Sequence, residues 1–574
     1  MFFLKILLTA VNSKYIHSNL AIRYIRSYCK YFDTEIKEYS INDNINSIIS
    51  GIIYEDPDVV SFSCYIWNIE IINKICSSIK KINPKIITIF GGPEVSYDSA
   101  DIMEKNKYID FIIKGEGEET SYQLFSYLDG KENDINKIDG IVYKDNGSII
   151  ENNDRELIQE LDKIPFPYRD EDDLNNKIVY YESSRGCPFR CSYCLSSTIK
   201  GVRFFSIERV KCDLLWFINR NIPLVKFVDR TFNCGKYYRD ILKFIIDNKK
   251  NTRFHFEISA DLLDGDTIKL LNTAPKGLIQ FEAGIQTTNM ETLSTVDRHM
   301  DFGKLKANLD SIISKKNINV HLDLIAGLPK EDFNSFIKSF NESFTLKPDM
   351  LQLGFLKLLK GSNLRESAHK YGIEFNEYPP YEVLKTDSIS YSEIDTLKNV
   401  EEIVDNFYNS GRFQASLLYL LSYTDTPFKL FLDISKFKDR CIKRGKKLNN
   451  IGQYKLIYDF SKGIENIDLS ILSECLLFDY LSQGRNPNIP QFIKPKVILN
   501  KNTIWSILKN LDTEIYGDRS WKNIQAAAFT FDMVRFINTG EIVHNQTLLV
   551  FDYENKDEYG KAEYISIDLK GILS

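Results

Sequence analysis

Short apolar runs alternate with amphipathic segments along two stretches of this chain, and that alternation restricts its possible folds more than any other feature. In residues 1–130 the runs are FLKILLTAV (3–11), DVVSFSCY (58–65), KIITIFGG (85–92) and DFIIKGEG (110–117). Between them, residues 18–32, 68–82 and 118–130 carry apolar positions at helical spacing. Strands that are apolar on both faces and separated by helices predict a parallel, doubly wound sheet. Ligands of such sheets bind at the carboxyl ends of the strands.

The pattern breaks at 131–177. IVYKDNGSIIE predicts a hairpin around Asn146-Gly147, and KIPFPYRDEDDLNN reads as an extended connector. Alternation resumes over 178–360, where KIVYYESS, LVKFVDRTF, RFHFEISA, LIQFEAGIQ, NVHLDLIAGLP and MLQLGFLKLL are the strands. Six consecutive βα units predict a whole or partial TIM-type barrel, with functional groups at the C-terminal strand ends. Residues 361–574 change character. Residues 391–421 read as helical and 529–569 alternate like antiparallel strands, with Trp505, Tyr516 and Trp521 as core aromatics. The expected class is therefore α/β. A Rossmann-like domain (1–130), a connector (131–177) and a barrel (178–360) precede a mixed α+β domain (361–574) that shows no chemical motif.

Composition narrows the function. With 43% hydrophobic and 26% charged residues, the chain suits a water-soluble globular protein. A net charge of -6 and the lack of a basic run argue against non-specific nucleic-acid binding. The apolar start MFFLKILLTAV is short and interrupted by Lys5, so it reads as a first strand rather than a signal peptide. No apolar run reaches the roughly 18–20 residues that span a bilayer. Of ten cysteines, seven (Cys29, Cys64, Cys76, Cys212, Cys234, Cys441, Cys475) are scattered singly, which is not a disulfide framework. A cytoplasmic, reducing compartment is expected, where clustered thiols bind metal or do chemistry.

One cluster exists. SRGCPFRCSYCLS (184–196) follows the first strand of the second domain and carries Cys187, Cys191 and Cys194. A structural zinc site wants four ligands, and no fourth lies in this loop. Three thiolates suit a [4Fe–4S] cluster that keeps one iron open to another ligand. A zinc knuckle completed by a remote residue, or a chance clustering, is the competing reading.

With Tyr193 before its last cysteine, this CxxxCxxC motif resembles that of the radical SAM superfamily, and the resemblance extends over about 178–360. It implies that the open iron takes the amino and carboxylate groups of S-adenosyl-L-methionine (SAM). A reduced cluster then cleaves SAM to a 5′-deoxyadenosyl radical, the cofactor carrying the hard chemistry. It also implies a one-electron reductant of flavodoxin or ferredoxin type as partner. Mapped onto this chain, the family pattern sets Asp229 and Arg230 in FVDRTFN beside the methionine amino group, although the usual glycines are missing there. Glu257 in HFEISAD then faces the amino group, Gln286 in EAGIQTTN the ribose, Arg298 in TVDRHM the carboxylate and Asp323 in HLDLIAGLP the ribose. An arginine fork matches a carboxylate. The alternatives are an exposed helix arginine and salt-bridge partners at a barrel rim. His255 and His321 read as packed barrel residues.

Residues 1–130 resemble the cobalamin-binding domain that precedes this barrel in one large subclass. VNSKYIHSNLAIRYI, VVSFSCY, IFGGPEV and DFIIKGEGEE follow in its order. Ser61, Ser63, Gly91, Gly92, Gly115 and Gly117 are the small residues that a close-lying corrin nucleotide tail requires. The cobalt-ligating D-x-H-x-x-G loop is replaced by NSKYIHSN, and His17 is not assigned to cobalt. A plain Rossmann-like domain that binds a nucleotide, or nothing, is the alternative. The C-terminal region resembles a domain of unknown function attached to B12-type radical SAM proteins of anaerobic bacteria. These resemblances imply a cobalamin-dependent radical SAM enzyme, first of all a methyltransferase. The other readings are a radical oxidoreductase or cyclase without methyl transfer, a non-catalytic corrinoid- or redox-responsive protein, and a methylthiotransferase, whose second three-cysteine cluster has no counterpart here. No motif names the substrate.

Overall fold

The computed structural model describes residues 4–442, 446–509, 523–556 and 560–570. They form two compact units, one of residues 1–336 and 354–391, the other of 337–353 and 392–574.

The first unit opens with a seven-stranded sheet of β1 (Lys5–Asn12), β2 (Asp33–Ser40), β3 (Val59–Ser63), β4 (Ile87–Gly91), β5 (Phe111–Ile113), β6 (Ile141–Asp145) and β7 (Ser148–Glu151), in the order β2-β1-β3-β4-β5-β6-β7. β1 to β5 pair in parallel. All five residues of β3 are buried, as expected for a strand covered on both faces. The order reverses between β2 and β3 around β1, so a crevice opens at the C-terminal ends of β1 and β3. The Asn146-Gly147 hairpin forms as expected, and its strands β6 and β7 extend this sheet antiparallel. Strand β2 escaped the sequence reading because DTEIKEYS is a charged edge strand.

The second sheet has six strands: β8 (Ile178–Tyr181), β11 (Leu224–Phe227), β12 (Arg253–Ile258), β13 (Ile279–Gln286), β14 (Asn319–Ala326) and β15 (Met350–Phe355). They lie in chain order from β8 to β15, the arrangement of a partial βα barrel. Between β8 and β11, a short antiparallel pair, β9 (Ser184–Gly186) and β10 (Val202–Phe204), brackets the three cysteines. Burial alternates residue by residue along β13 and β14. Phe281, Ile285, Val320 and Leu324 pack outward into the apolar layer, while Gln280, Glu282, His321 and Asp323 occupy the opposite, inner face.

After β15 the chain forms a small antiparallel pair, β16 (Glu374–Phe375) and β17 (Val383–Lys385). The second unit contains the helices Gln414–Leu421, Pro427–Cys441, Asn450–Ser461 and Leu469–Gln483. The last of these is buried nearly all round, and its Asp479 caps the N-terminus of Gln414–Leu421 through Ala415 N and Ser416 N, both at 2.9 Å. The antiparallel end is observed as β18 (Ile524–Phe529), β19 (Thr547–Lys556) and β20 (Ala562–Asp568). Residues 533–539, read as strand, form a helix instead: Asp532 caps its start and Gly540 ends it in the left-handed region. Tyr516, Trp521 and the side chain of Trp505 lie outside the described residues. Among the described residues no helix is long and apolar enough to cross a membrane.

Candidate functional site

The cysteine loop leaves β9 and is tied down at several points. Ser192 N donates to Val296 O at 2.9 Å, and Leu364 N donates to Ser192 O at 2.9 Å. Cys191 is buried while Cys187 and Cys194 are partly open, and all three thiols are free. Among the described residues no three His, Cys, Asp or Glu side chains are already drawn to metal-ligand spacing. Arg298 reaches Cys191 Sγ with Nη1 at 3.7 Å and donates through Nη2 to Gly284 O. Burial pushes the Cys191 thiol up, and the Arg298 guanidinium and Tyr193 hydroxyl oppose that. Cys234, within electrostatic reach of Cys187, is pushed up to about 11, chiefly by burial. An open groove of about 430 Å³ runs past this loop, lined by Phe189, Leu262, Met290 and Arg298.

Glu257, Gln286 and Asp323 lie at or near the C-terminal ends of β12, β13 and β14, so the structure gathers the predicted strand-end residues on one side of the sheet. Gln286 adopts φ +69, and a register shift separates it from Gly284. A side-chain-bearing residue held in the left-handed region needs support from its surroundings, and such positions concentrate at functional sites. The atoms Gln286 Oε1, Arg298 Nε, Asp323 Oδ1 and Ser192 Oγ are buried without a protein partner. Leaving such groups unpaired is costly, and together with three free thiols they fit a polar ligand beside a metal cluster.

Asp229 sits differently. It is 1% exposed and accepts from Ser183 N at 2.9 Å and from the Ser183 and Ser184 hydroxyls at 2.6 Å each. Its carboxylate thus shapes the turn into β9, and Arg230 beside it is exposed.

The inner face also holds residues the sequence reading did not single out. Glu282 accepts from Lys226 Nζ at 2.9 Å and pairs with His255 Nε2 at 2.9 Å. Burial opposes the charge on Glu282, but the hydrogen bonds from His255 and Lys226 outweigh it and hold the carboxyl down, to about 2. Asp323 is pushed up to about 8 by burial, with Glu282 and Glu257 adding repulsion. Burial and Glu282 raise Glu257 as well. Gln280 hydrogen-bonds the His321 ring at 2.6 Å. His255 and His321 thus pack on the polar inner face of the barrel. Polar residues at every second position of adjacent strands were the available signal.

At the C-terminal edge of the first sheet, the predicted small residues follow the crevice. Ser61 and Ser63 are each 6% exposed on β3, and Asn19 Nδ2 donates to Ser63 Oγ at 3.0 Å. Gly91 ends β4. Gly92 has φ +113, and a Cβ there would stand 2.6 Å from Cys64 O, so only glycine fits. Gly115 has open space around its Cα, and Gly117 starts the helix Gly117–Leu128. His17 Nδ1 shares a 2.7 Å hydrogen bond with the Tyr180 hydroxyl, and burial together with Lys14, Lys226 and Lys177 lowers its pKa.

The two regions adjoin. Arg185, two residues before Cys187, bonds Glu182 at 2.8 Å, Glu116 at 3.2 Å and Glu118 at 2.5 Å. Arg203 on β10 adds bonds to Glu116 at 2.8 and 3.0 Å. The glycine loop 115–117 and the base of the cysteine loop thus share one buried ion-pair network.

Comparison with known proteins matches this division of labour. Residues 6–125 fit the B12 binding domain, 181–342 the radical SAM superfamily, and 369–551 a family described as protein of unknown function DUF4080. A 2-(S-pantetheinyl)-carbapenam-3-carboxylate methyltransferase of Streptantibioticus cattleyicolor is 25% identical over 51% of this chain and 45% of its own length. The chain thus spans about half of that relative. An anaerobic magnesium-protoporphyrin IX monomethyl ester cyclase of Rubrivivax gelatinosus is 25% identical over 74% of this chain and 77% of its own. In fold, the chain is similar to the radical SAM methyltransferase TsrM of Kitasatospora setae, at TM-score 0.56 and 14% identity, covering 66% of this chain and 79% of that one. The chain therefore carries, in order, a B12-binding domain, a radical SAM domain and a C-terminal domain of unknown function, the first two being the domains that take cobalamin, a [4Fe–4S] cluster and SAM.

Proposed function

We propose that this enzyme is a cobalamin-dependent radical SAM methyltransferase acting on an unactivated carbon. We take the corrin domain as 1–130, the connector as 131–177, the barrel as 178–360 and the C-terminal domain as 361–574. Cys187, Cys191 and Cys194 would hold the cluster. Glu257 would face the SAM amino group, Arg298 its carboxylate, and Gln286 and Asp323 its ribose, with Asp229 fixing the backbone beside them. Ser61, Ser63, Gly91, Gly92, Gly115 and Gly117 would line the corrin tail. When bound, these groups supply an adenosyl radical and a transferable methyl group. The chain's own part is to orient them and to keep the charged lumen matched to the cationic sulfonium.

The observation that carries this reading is the ion-pair network of Arg185 with Glu116 and Glu118, which sets the corrin-side loop against the cysteine loop. A methyl donor and a radical generator must be neighbours for one carbon to meet both. The resemblance to the carbapenam methyltransferase agrees. The longer-range similarity to the ester cyclase supports a second reading, radical oxidation or ring closure without methyl transfer. The anaerobically reconstituted protein decides between them. Methyl transfer yields both S-adenosylhomocysteine and 5′-deoxyadenosine, and a substrate heavier by one CH2. 5′-Deoxyadenosine without S-adenosylhomocysteine would favour the second reading.

A further inference from the structure

Residues 356–383 leave the barrel after β15 and fold back on themselves. Leu358 N donates to Tyr381 O at 3.0 Å, and Val383 N donates to Leu356 O at 2.9 Å. This strap touches both candidate cofactor loops. Leu364 N binds Ser192 O within the cysteine loop. Gly361 lies directly against the Tyr97 ring, at the end of the loop that begins with Gly91 and Gly92, and Tyr97 Oη is 3.3 Å from Thr198 Oγ1.

The central contact is a carboxylate. Glu94, two residues after Gly92, is 5% exposed. The Tyr381 hydroxyl donates to Glu94 Oε1, and Lys360 Nζ stands 3.4 Å from the same oxygen. Arg365 lies over the Tyr381 ring at 4.6 Å. Burial, then the hydrogen bond to Glu94, raises the Tyr381 pKa far above its ordinary value, so the phenol remains a donor. Tyr381 also adopts φ +55. A bulky side chain in the left-handed region is an outlier that persists only where its surroundings over-determine it. Here that backbone delivers the hydroxyl to a buried carboxylate that Lys360 also pairs.

We propose that Tyr381 and Lys360 are positioning residues for cobalamin: acting through Glu94, they hold the Gly91–Gly92 loop in the shape that receives the corrin nucleotide tail. The proposal rests on the corrin reading of residues 1–130. It gives the leading part of the DUF4080 match, residues 369–391, a task at the cofactor site.

The test is a double-mutant cycle on the full chain, using hydroxocobalamin as the probe. Tyr381→Phe is expected to weaken binding about tenfold, Glu94→Leu at least as much because it removes the acceptor of both Tyr381 and Lys360, and the double variant no more than Glu94→Leu. The wild-type spectrum of the bound corrinoid should change in both single variants, and cluster iron content should not. Tyr381→Phe binding within twofold of wild type, or additive losses, overturns the proposal. Amide hydrogen exchange over residues 91–97 separates the two layers of inference. If wild type binds no hydroxocobalamin, the corrin reading fails. The tether then stands if Tyr381→Phe speeds exchange across 91–97, and falls if exchange is unchanged.

Discussion

Asp323 and Glu282 sit on neighbouring strands of one lumen and respond oppositely to it. Asp323 has its pKa raised to about 8, and Glu282 has its lowered to about 2. The difference lies in partners: Glu282 has Lys226 and His255, whereas Asp323 keeps an unpaired Oδ1. A carboxyl whose folded pKa exceeds its unfolded value opposes folding once ionised. Its favourable contribution is complete below about pH 4 and is lost as pH rises through about 8. Asp323→Asn should therefore raise the melting temperature of the apoprotein near pH 9 and change it little near pH 5. Equal shifts at both values would contradict the raised pKa. Glu282 has the opposite sign, and its contribution persists above about pH 4.5 and falls away toward pH 2. Asp323 could be singled out in the sequence because the family pattern points to it. Lys226 and Glu282, and the pairing of Glu282 with His255, were hidden because they depend on register between strands, which a linear pattern does not specify.

At the scale of elements, β9 carries more than its three residues suggest. Its Arg185 joins three carboxylates whose side chains are each at most 13% exposed. Removing one member of such a network leaves buried charges unmatched, at a cost of about 3–5 kcal/mol. Arg185→Met should lower the midpoint of urea unfolding of the first unit accordingly, whereas Arg169→Met, at a mostly exposed pair 3.9 Å long, should leave it unchanged. The strands of the first sheet were readable because β1, β3 and β4 are apolar on both faces. Helix 533–539 was not, because FDMVRFINTG also alternates, and its capping Asp532 and terminal Gly540 decide in favour of the helix.

For the whole molecule, the cysteine loop and the crevice of the first sheet lie on different sheets joined by ion pairs. Cys191→Ala is expected to abolish cluster assembly and SAM cleavage while cobalamin binding stays within about threefold. Iron content, 5′-deoxyadenosine formation and corrinoid titration on one preparation check this. Loss of all three would mean that the two cofactor regions fold as one. The chain's run from sheet to barrel to C-terminal region was legible in its strand spacing. The attachment of 354–391 to the first unit was not, because it depends on Tyr381 reaching Glu94, 287 positions away.

A partial barrel, unlike a closed one, leaves strand edges that another chain can extend. The entrance to β8 is covered here by the chain itself: Ile178 N donates to Ile16 O at 2.6 Å and Ser18 N to Ile178 O at 3.2 Å, with His17 paired to Ile178 in parallel. The first sheet ends on β2, with Asp33, Glu35, Lys37 and Glu38, and on the four-residue β7. Short or charged edges resist intermolecular strand addition. Loosening residues 16–18 from Ile178 would therefore bare a new ladder of backbone donors and acceptors, and the first symptom of damage there would be self-association.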